Sequence, residues 1–178
     1  MKNYLGIILI LIFLSFASVS CEDLFDLLTF DSKEYTMEFV INPADNEGYQ
    51  FYKEEVLQSD LDSILDANDV SEERLKEVHI KEAVALITNP DTTVFFDPLA
   101  SFTVTIYTDS LGETTIAEMN PVPDGLRELS LPLKDDDVKK YLFESDFMLS
   151  AVGALSEQIL KPIHVLVKVK FEFKAGLN

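Results

Sequence analysis

The most regular pattern in the chain lies near its C-terminal end. From Ile163 onward, Ile163, Val165, Val167, Val169, Phe171 and Phe173 alternate with His164, Leu166, Lys168, Lys170, Glu172 and Lys174. A period of two over that length predicts a strand with one face on a core and the other mainly in water. The same period marks Tyr35, Met37, Phe39 and Ile41, then Phe102, Val104 and Ile106, then Leu129, Leu131 and Leu133, then Phe147, Leu149 and Ala151. Glu77 to Thr88, Thr114 to Met119 and Tyr49 to Leu57 read as further strands, the last with Tyr49 and Phe51 on one face. Between them stand turn-forming clusters at 42–48, 89–91, 109–112 and 120–125.

Helical periodicity is confined to short stretches. Ser59 can cap a helix, with Asp62 three residues on and Leu61, Ile64 and Leu65 sharing a face. A second start falls at Ser71, where Val70 and Leu75 occupy the two staple positions around the cap. Residues 135–143 predict a further turn or two, with Val138, Tyr141 and Leu142 inward. Seven or eight strands joined by short turns predict a mainly β fold over residues 34–178. The expected architecture is an antiparallel immunoglobulin-like β-sandwich with a short helical insert.

The first twenty residues follow a different rule. One positive charge, Lys2, precedes an apolar block from Leu5 to Phe16, and small residues lead to Cys21. These are the parts of a secretory signal peptide, residues 1–20. The apolar block is shorter than the roughly 20 residues that span a bilayer. Cys21 is the only cysteine of the chain and directly follows the small-residue run Ala17-Ser18-Val19-Ser20. The segment resembles the lipobox of bacterial lipoproteins, with Ser18 where Leu usually stands. That resemblance implies a diacylated Cys21 as the new N-terminus, and attachment to a membrane through its lipid. The acidic pair Glu22-Asp23 that follows resembles the export signal of Bacteroidota surface lipoproteins, which implies an address in the cell envelope, at the outer membrane. Residues 21–33 then form the lipid-anchored N-terminal segment. Its apolar members Leu24, Phe25, Leu27, Leu28 and Phe30 either pack on the domain or lie among lipid headgroups.

Charge narrows the partners. The 178 residues carry 32 Asp and Glu against 14 Lys and Arg, a formal net charge of −18. Phosphate repulsion argues against nucleic acid, and the same sign argues against docking on anionic lipid through the protein surface. Acidity on this scale serves solubility and mutual repulsion on a crowded surface. With Cys21 acylated, no disulfide can form within the chain, so the core alone must hold the fold.

A resemblance of another kind spans Val84 to Leu142. A strand ending Leu86-Ile87-Thr88-Asn89-Pro90 is followed by Phe102, Val104 and Ile106, then Ile116-Ala117-Glu118. A turn at Pro121 to Gly125 leads into Leu129-Ser130-Leu131-Pro132-Leu133. This order is similar to the late-embryogenesis-abundant or water-stress type of β-sandwich, which implies the same fold class and a role without catalysis.

Assembled chemistry is hard to find in the sequence. A nucleophile needs a base and an orienting group, yet the one thiol is assigned to lipid, and His79 and His164 both fall in strands. Two distant histidines do not make a zinc site. Asp135-Asp136-Asp137 and the group Asp66, Asn68, Asp69 offer oxygens to calcium but lack the twelve-residue loop pattern, and solvated turns explain them. No cofactor is expected. Lys168, Lys170 and Lys174 form a basic stripe. Such a stripe is the wet face of a sheet, a guard on an exposed edge, or a docking face for an acidic envelope protein. The expectation is a non-enzymatic cell-envelope lipoprotein acting as a binding or structural module. The alternative is a carrier holding a small apolar ligand in a sandwich cleft through residues such as Phe95, Phe96 and Phe102.

Overall fold

The computed structural model describes residues 27–43 and 48–176. Cys21 and the signal segment before it lie outside the described residues.

Among the described residues, alternating apolar residues build nine strands: β1 (Leu27–Asp31), β2 (Tyr35–Ile41), β3 (Gln50–Gln58), β4 (Leu75–Ile87), β5 (Leu99–Thr108), β6 (Gly112–Met119), β7 (Glu128–Ser130), β8 (Asp146–Leu155) and β9 (Ile163–Gly176). Helix among the described residues is limited to α1 (Leu61–Ala67), a single 3-10 turn at Glu72–Arg74, and α2 (Lys139–Leu142). The expected antiparallel sandwich with a short helical insert is what the chain forms.

Its connectivity adds what a strand count could not supply. The chain pairs its first half with its second half in reverse order: β2 with β9, β3 with β8, β4 with β7 and β5 with β6. Two further pairings, β4 with β9 and β5 with β8, close this long ribbon into two sheets. The first sheet runs β2–β9–β4–β7, with β1 continuing β2 along the same side of β9; the second runs β3–β8–β5–β6. That order is the double Greek key of a jelly roll, whereas an immunoglobulin sheet sets its first and second strands side by side.

Sheet faces explain the burial. On β9 every odd-numbered residue from Ile163 to Phe173 is buried, and the even-numbered ones are partly or fully exposed. Two aromatic groups fill the interior. Phe51, Phe96 and Phe102 meet near one end with Phe39, at centroid distances of 5.7 to 6.5 Å. Tyr35, Phe147 and Phe171 meet near the other in edge-on contacts of 5.3 to 6.0 Å.

Local details depart from the sequence reading. Among the described residues strand pairing starts at Leu27, and Leu28 and Phe30 of the N-terminal segment pack against the core, with Phe30 stacked on Phe173 at 5.4 Å. Between β1 and β2 the Ser32 hydroxyl accepts the Phe171 amide at 3.0 Å, while the Ser32 amide donates to the Phe171 carbonyl at 2.9 Å. A side chain thus replaces a strand carbonyl where one extra residue bulges. Ser59 stands one residue before the cap position, which Asp60 occupies; the Ser59 hydroxyl accepts the Leu61 amide at 3.4 Å and donates to the Leu142 carbonyl at 2.5 Å. The Asp60 carboxylate is drawn elsewhere, accepting from the Tyr35 hydroxyl and pairing with Lys33 at 3.1 Å. Val70 and Leu75 are both buried around the 3-10 turn, as the staple pattern predicts.

Candidate functional site

The jelly roll gives the molecule two unlike ends. Residues 59–74, 109–111 and 131–145 connect strands at one end, where Leu27 also pairs with Gly176. This terminal pole is strongly acidic: residues 59–74 alone carry six carboxylates and one cation, Arg74. Loops 88–98, 120–127 and 156–162 gather at the other end, where β9 begins. The 14 residues of β9 separate the two poles by about 45 Å.

The loop pole is tightly built. Arg127 inserts its guanidinium beneath loop 88–98 and donates to the carbonyls of Asp91 at 2.7 Å, Val94 at 2.8 Å and Asn89 at 2.8 Å. A single planar fork thereby satisfies three loop carbonyls that have no ladder partner. Asp91 turns the chain by accepting the Thr93 amide at 2.9 Å and the Thr93 hydroxyl at 2.7 Å. Its other oxygen meets Lys161 at 2.8 Å, which ties the two loops together. These bonds, with Lys161 the largest contributor, hold the Asp91 carboxyl well below the usual carboxylate range. Asn89 clamps the start of β9, donating to the Pro162 carbonyl and accepting from the His164 amide, each at 2.8 Å.

Between loops 88–98 and 156–162 this framework leaves an open crevice of about 250 Å³. Its floor and walls are Val94, Phe95, Pro98, Ile159, Leu160 and Ile163; Asp97, Glu157 and Lys161 give it polar edges. Leu160 stands 84% exposed beside it. Asp97 and Glu157 also line a neighbouring depression with Asp124 and Ser156, and Asp97 accepts the Gly125 amide at 2.5 Å. An apolar crevice with charged edges on a rigid loop platform suits recognition of a partner.

Of the three phenylalanines named for a ligand cleft, only Phe95 reaches this crevice. Phe96 and Phe102 are fully buried and pack edge-on at 6.3 Å as part of the core. The crevice lies outside the sandwich, between loops.

The lysine stripe lies on the outer face of the first sheet. Because β9 is central there, between β2 and β4, the stripe is not an edge guard. Lys168 pairs with Glu34 at 2.9 Å and Lys174 with Glu77 at 3.5 Å, while Lys170 sits in register opposite Glu82. Lys81 and Asp31 add a pair at 2.6 Å across the neighbouring strands. The lysines are thus woven into a lattice of alternating charge, with about a third of the Lys168 and Lys174 side chains open to water. His79 belongs to the same lattice, 3.0 Å from Glu77; His164 is exposed at the loop pole.

The acidic runs have structural work to do. One Asp137 oxygen accepts both the Val78 and Lys139 amides at 3.0 Å, which fastens the start of α2 to β4. Among the described residues, no group of three or more His, Cys, Asp or Glu is arranged to hold a metal ion. Among them also, no helix is long and apolar enough to cross a membrane.

No family model matches the chain, and no characterised protein matches it in sequence. Among solved structures it is similar to a chain from Desmodium yellow mottle tymovirus, at 8% identity and a TM-score of 0.27, over 85% of this chain and 90% of that one.

Proposed function

We propose that the chain is a non-enzymatic lipoprotein of the cell envelope, held at the outer membrane by lipid on Cys21, which binds a partner through its loop pole. The observation that carries this reading is the placement of the two poles. The first described strand starts at Leu27, six residues after Cys21, at the end of the sandwich farthest from the crevice. Six extended residues reach about 20 Å. A chain anchored there presents the crevice and Leu160 outward, some 45 Å above the terminal pole. The acidity of the terminal pole keeps the domain off an anionic lipid surface, so only the acyl chains enter the membrane.

The partner contact would use apolar area around Phe95 and Leu160 edged by Asp97, Glu157 and Lys161. A small apolar molecule in the same crevice is the second reading, favoured by its aliphatic and aromatic lining; Phe96 and Phe102 fill the interior that a deep cleft would need.

The test is intact-mass analysis of membrane-fraction protein from wild type and Cys21→Ala, joined to labelling of Leu160→Cys on whole cells with an impermeant maleimide. The expected result is a chain beginning at Cys21 with added acyl mass, lost in Cys21→Ala, and ready labelling at position 160. A soluble chain cut elsewhere and free of lipid would overturn the proposal.

A further inference from the structure

We infer that β3 is a self-association strand, through which two copies of this chain join edge to edge, antiparallel about Glu54. Among the described residues its backbone pairs only with β8, so its other side is a free ladder edge. All nine residues except Phe51 and Leu57 are exposed. An open edge of this length is a template for another strand, and the other edges differ from it. Pro132 and Lys134 hydrogen-bond along β6, β7 has three residues, and the β1–β2 edge is broken at Ser32.

The sequence of the edge says which strand it accepts. Gln50-Phe51-Tyr52-Lys53-Glu54-Glu55-Val56-Leu57-Gln58 has the same chemistry read from either end, except that Lys53 and Glu55 have opposite charge. Antiparallel pairing about Glu54 therefore sets Gln50 against Gln58, Phe51 against Leu57, Tyr52 against Val56, and Lys53 against Glu55, each twice by symmetry. Aromatic–β-branched and opposite-charge neighbours are the pairs that stabilise a sheet. Tyr52 and Val56 lie on the outer face at 51% and 67% exposed, and each would gain the other as its neighbour across the junction. Lys53 and Glu55 lie on the core-facing side of the edge, where charge normally repels an incoming strand. Here that charge is matched by its own reverse, so the edge favours a second copy over other strands. Only at Glu54, on the two-fold axis, does a charge meet its like. The contact is isologous and joins the two second sheets into one of eight strands. Because the pairing is antiparallel, the terminal poles of the two copies face opposite ways, so with the anchoring proposed above the contact joins copies held on facing membranes, not neighbours in one membrane.

The test uses the chain from residue 22 onward, which keeps every described strand and removes the sole thiol as a source of crosslinks. Sedimentation velocity from micromolar to millimolar concentration should reveal a reversible dimer. Lys53→Glu should weaken it about tenfold or more, since it turns two attractive pairs repulsive. Adding Glu55→Lys to that variant should restore it, and Glu54→Gln should tighten it. Circular dichroism confirms that each variant is folded. A monomer at all concentrations, a dimer indifferent to Lys53→Glu, or a charge swap that fails to restore association would each overturn the inference. No lipid enters this experiment, so its outcome stands apart from that of the proposed anchoring.

Discussion

Gly153 is the position where one added methyl group should do the most damage. It lies on β8, in register with Phe51 on one side and Phe102 on the other, facing the core. A Cβ there would fall 2.4 Å from two ring carbons of Phe51 and 2.6 Å from the Ser101 carbonyl oxygen. The ring cannot swing aside freely, because it is 2% exposed and packs on Phe39 and Phe102 at 5.7 and 5.8 Å. The Ser101 oxygen belongs to strand backbone and recedes only by loosening the β5–β8 ladder. Overfilling a packed core costs about 1–3 kcal/mol, and alanine returns about 0.4–1 kcal/mol by restricting the unfolded chain. Gly153→Ala should therefore lose about 1.3 kcal/mol net. In a chain of this size that lowers Tm by about 3–5 °C. Urea denaturation with unchanged m-value is the assay. Phe51→Leu in the same background should recover part of the loss, a coupling of about 1 kcal/mol. A Gly153→Ala chain as stable as wild type, with strictly additive double-mutant behaviour, would refute the packing argument.

Arg127→Met should destabilise by about 1–3 kcal/mol, because the carbonyls of Asn89, Asp91 and Val94 lose their donor; hydrogen exchange should rise first in loop 88–98. Tyr35→Phe should cost about 1–2 kcal/mol in denaturant melts by removing the donor to Asp60 at the start of α1. The Asp91 carboxyl is lowered in the folded state, so its contribution is present above the ordinary Asp pKa of about 4 and is lost as pH falls through the lower folded value. Carboxyl NMR should place its midpoint well below the ordinary Asp value of about 4, and Lys161→Met should raise it; a midpoint near 4 in wild type would contradict the Lys161 bridge. Replacing Lys168, Lys170 or Lys174 singly by Met should change stability by less than about 1 kcal/mol, as expected of pairs with partly exposed side chains.

The strands were legible in the sequence because a half-buried strand writes its two faces as alternate letters, and β9, β2, β5 and β8 do so clearly. Which strand pairs with which is not written that way. The reverse-order pairing follows from turn geometry and sheet twist acting over the whole chain, and a strand count alone could not separate a jelly roll from other sandwiches. The lysine stripe was legible as an outward face, but its partners Glu34 and Glu77 lie on other strands and became visible only through register. At the loop pole, Asp91 and Thr93 carry the spacing of a side-chain turn, whereas Arg127 gives no sign of its role. A lone arginine after a glycine turn looks like any surface residue until three carbonyls converge on it. Ser59 reads as a cap in sequence; the position went to Asp60, whose carboxylate Tyr35 and Lys33 claim instead.

The run of β1 and β2 along one side of β9 also bears on mechanics. With the chain held at its N-terminal end and a partner seated at the loop pole, tension would run along these strands. The hydrogen bonds of both to β9 lie across that direction, so the load is shared by many bonds in shear instead of opening them one by one. The Ser32 bulge divides this seam into two lengths of five and seven residues. The shorter, outer one would slip first, and would act as a mechanical fuse for the core behind it.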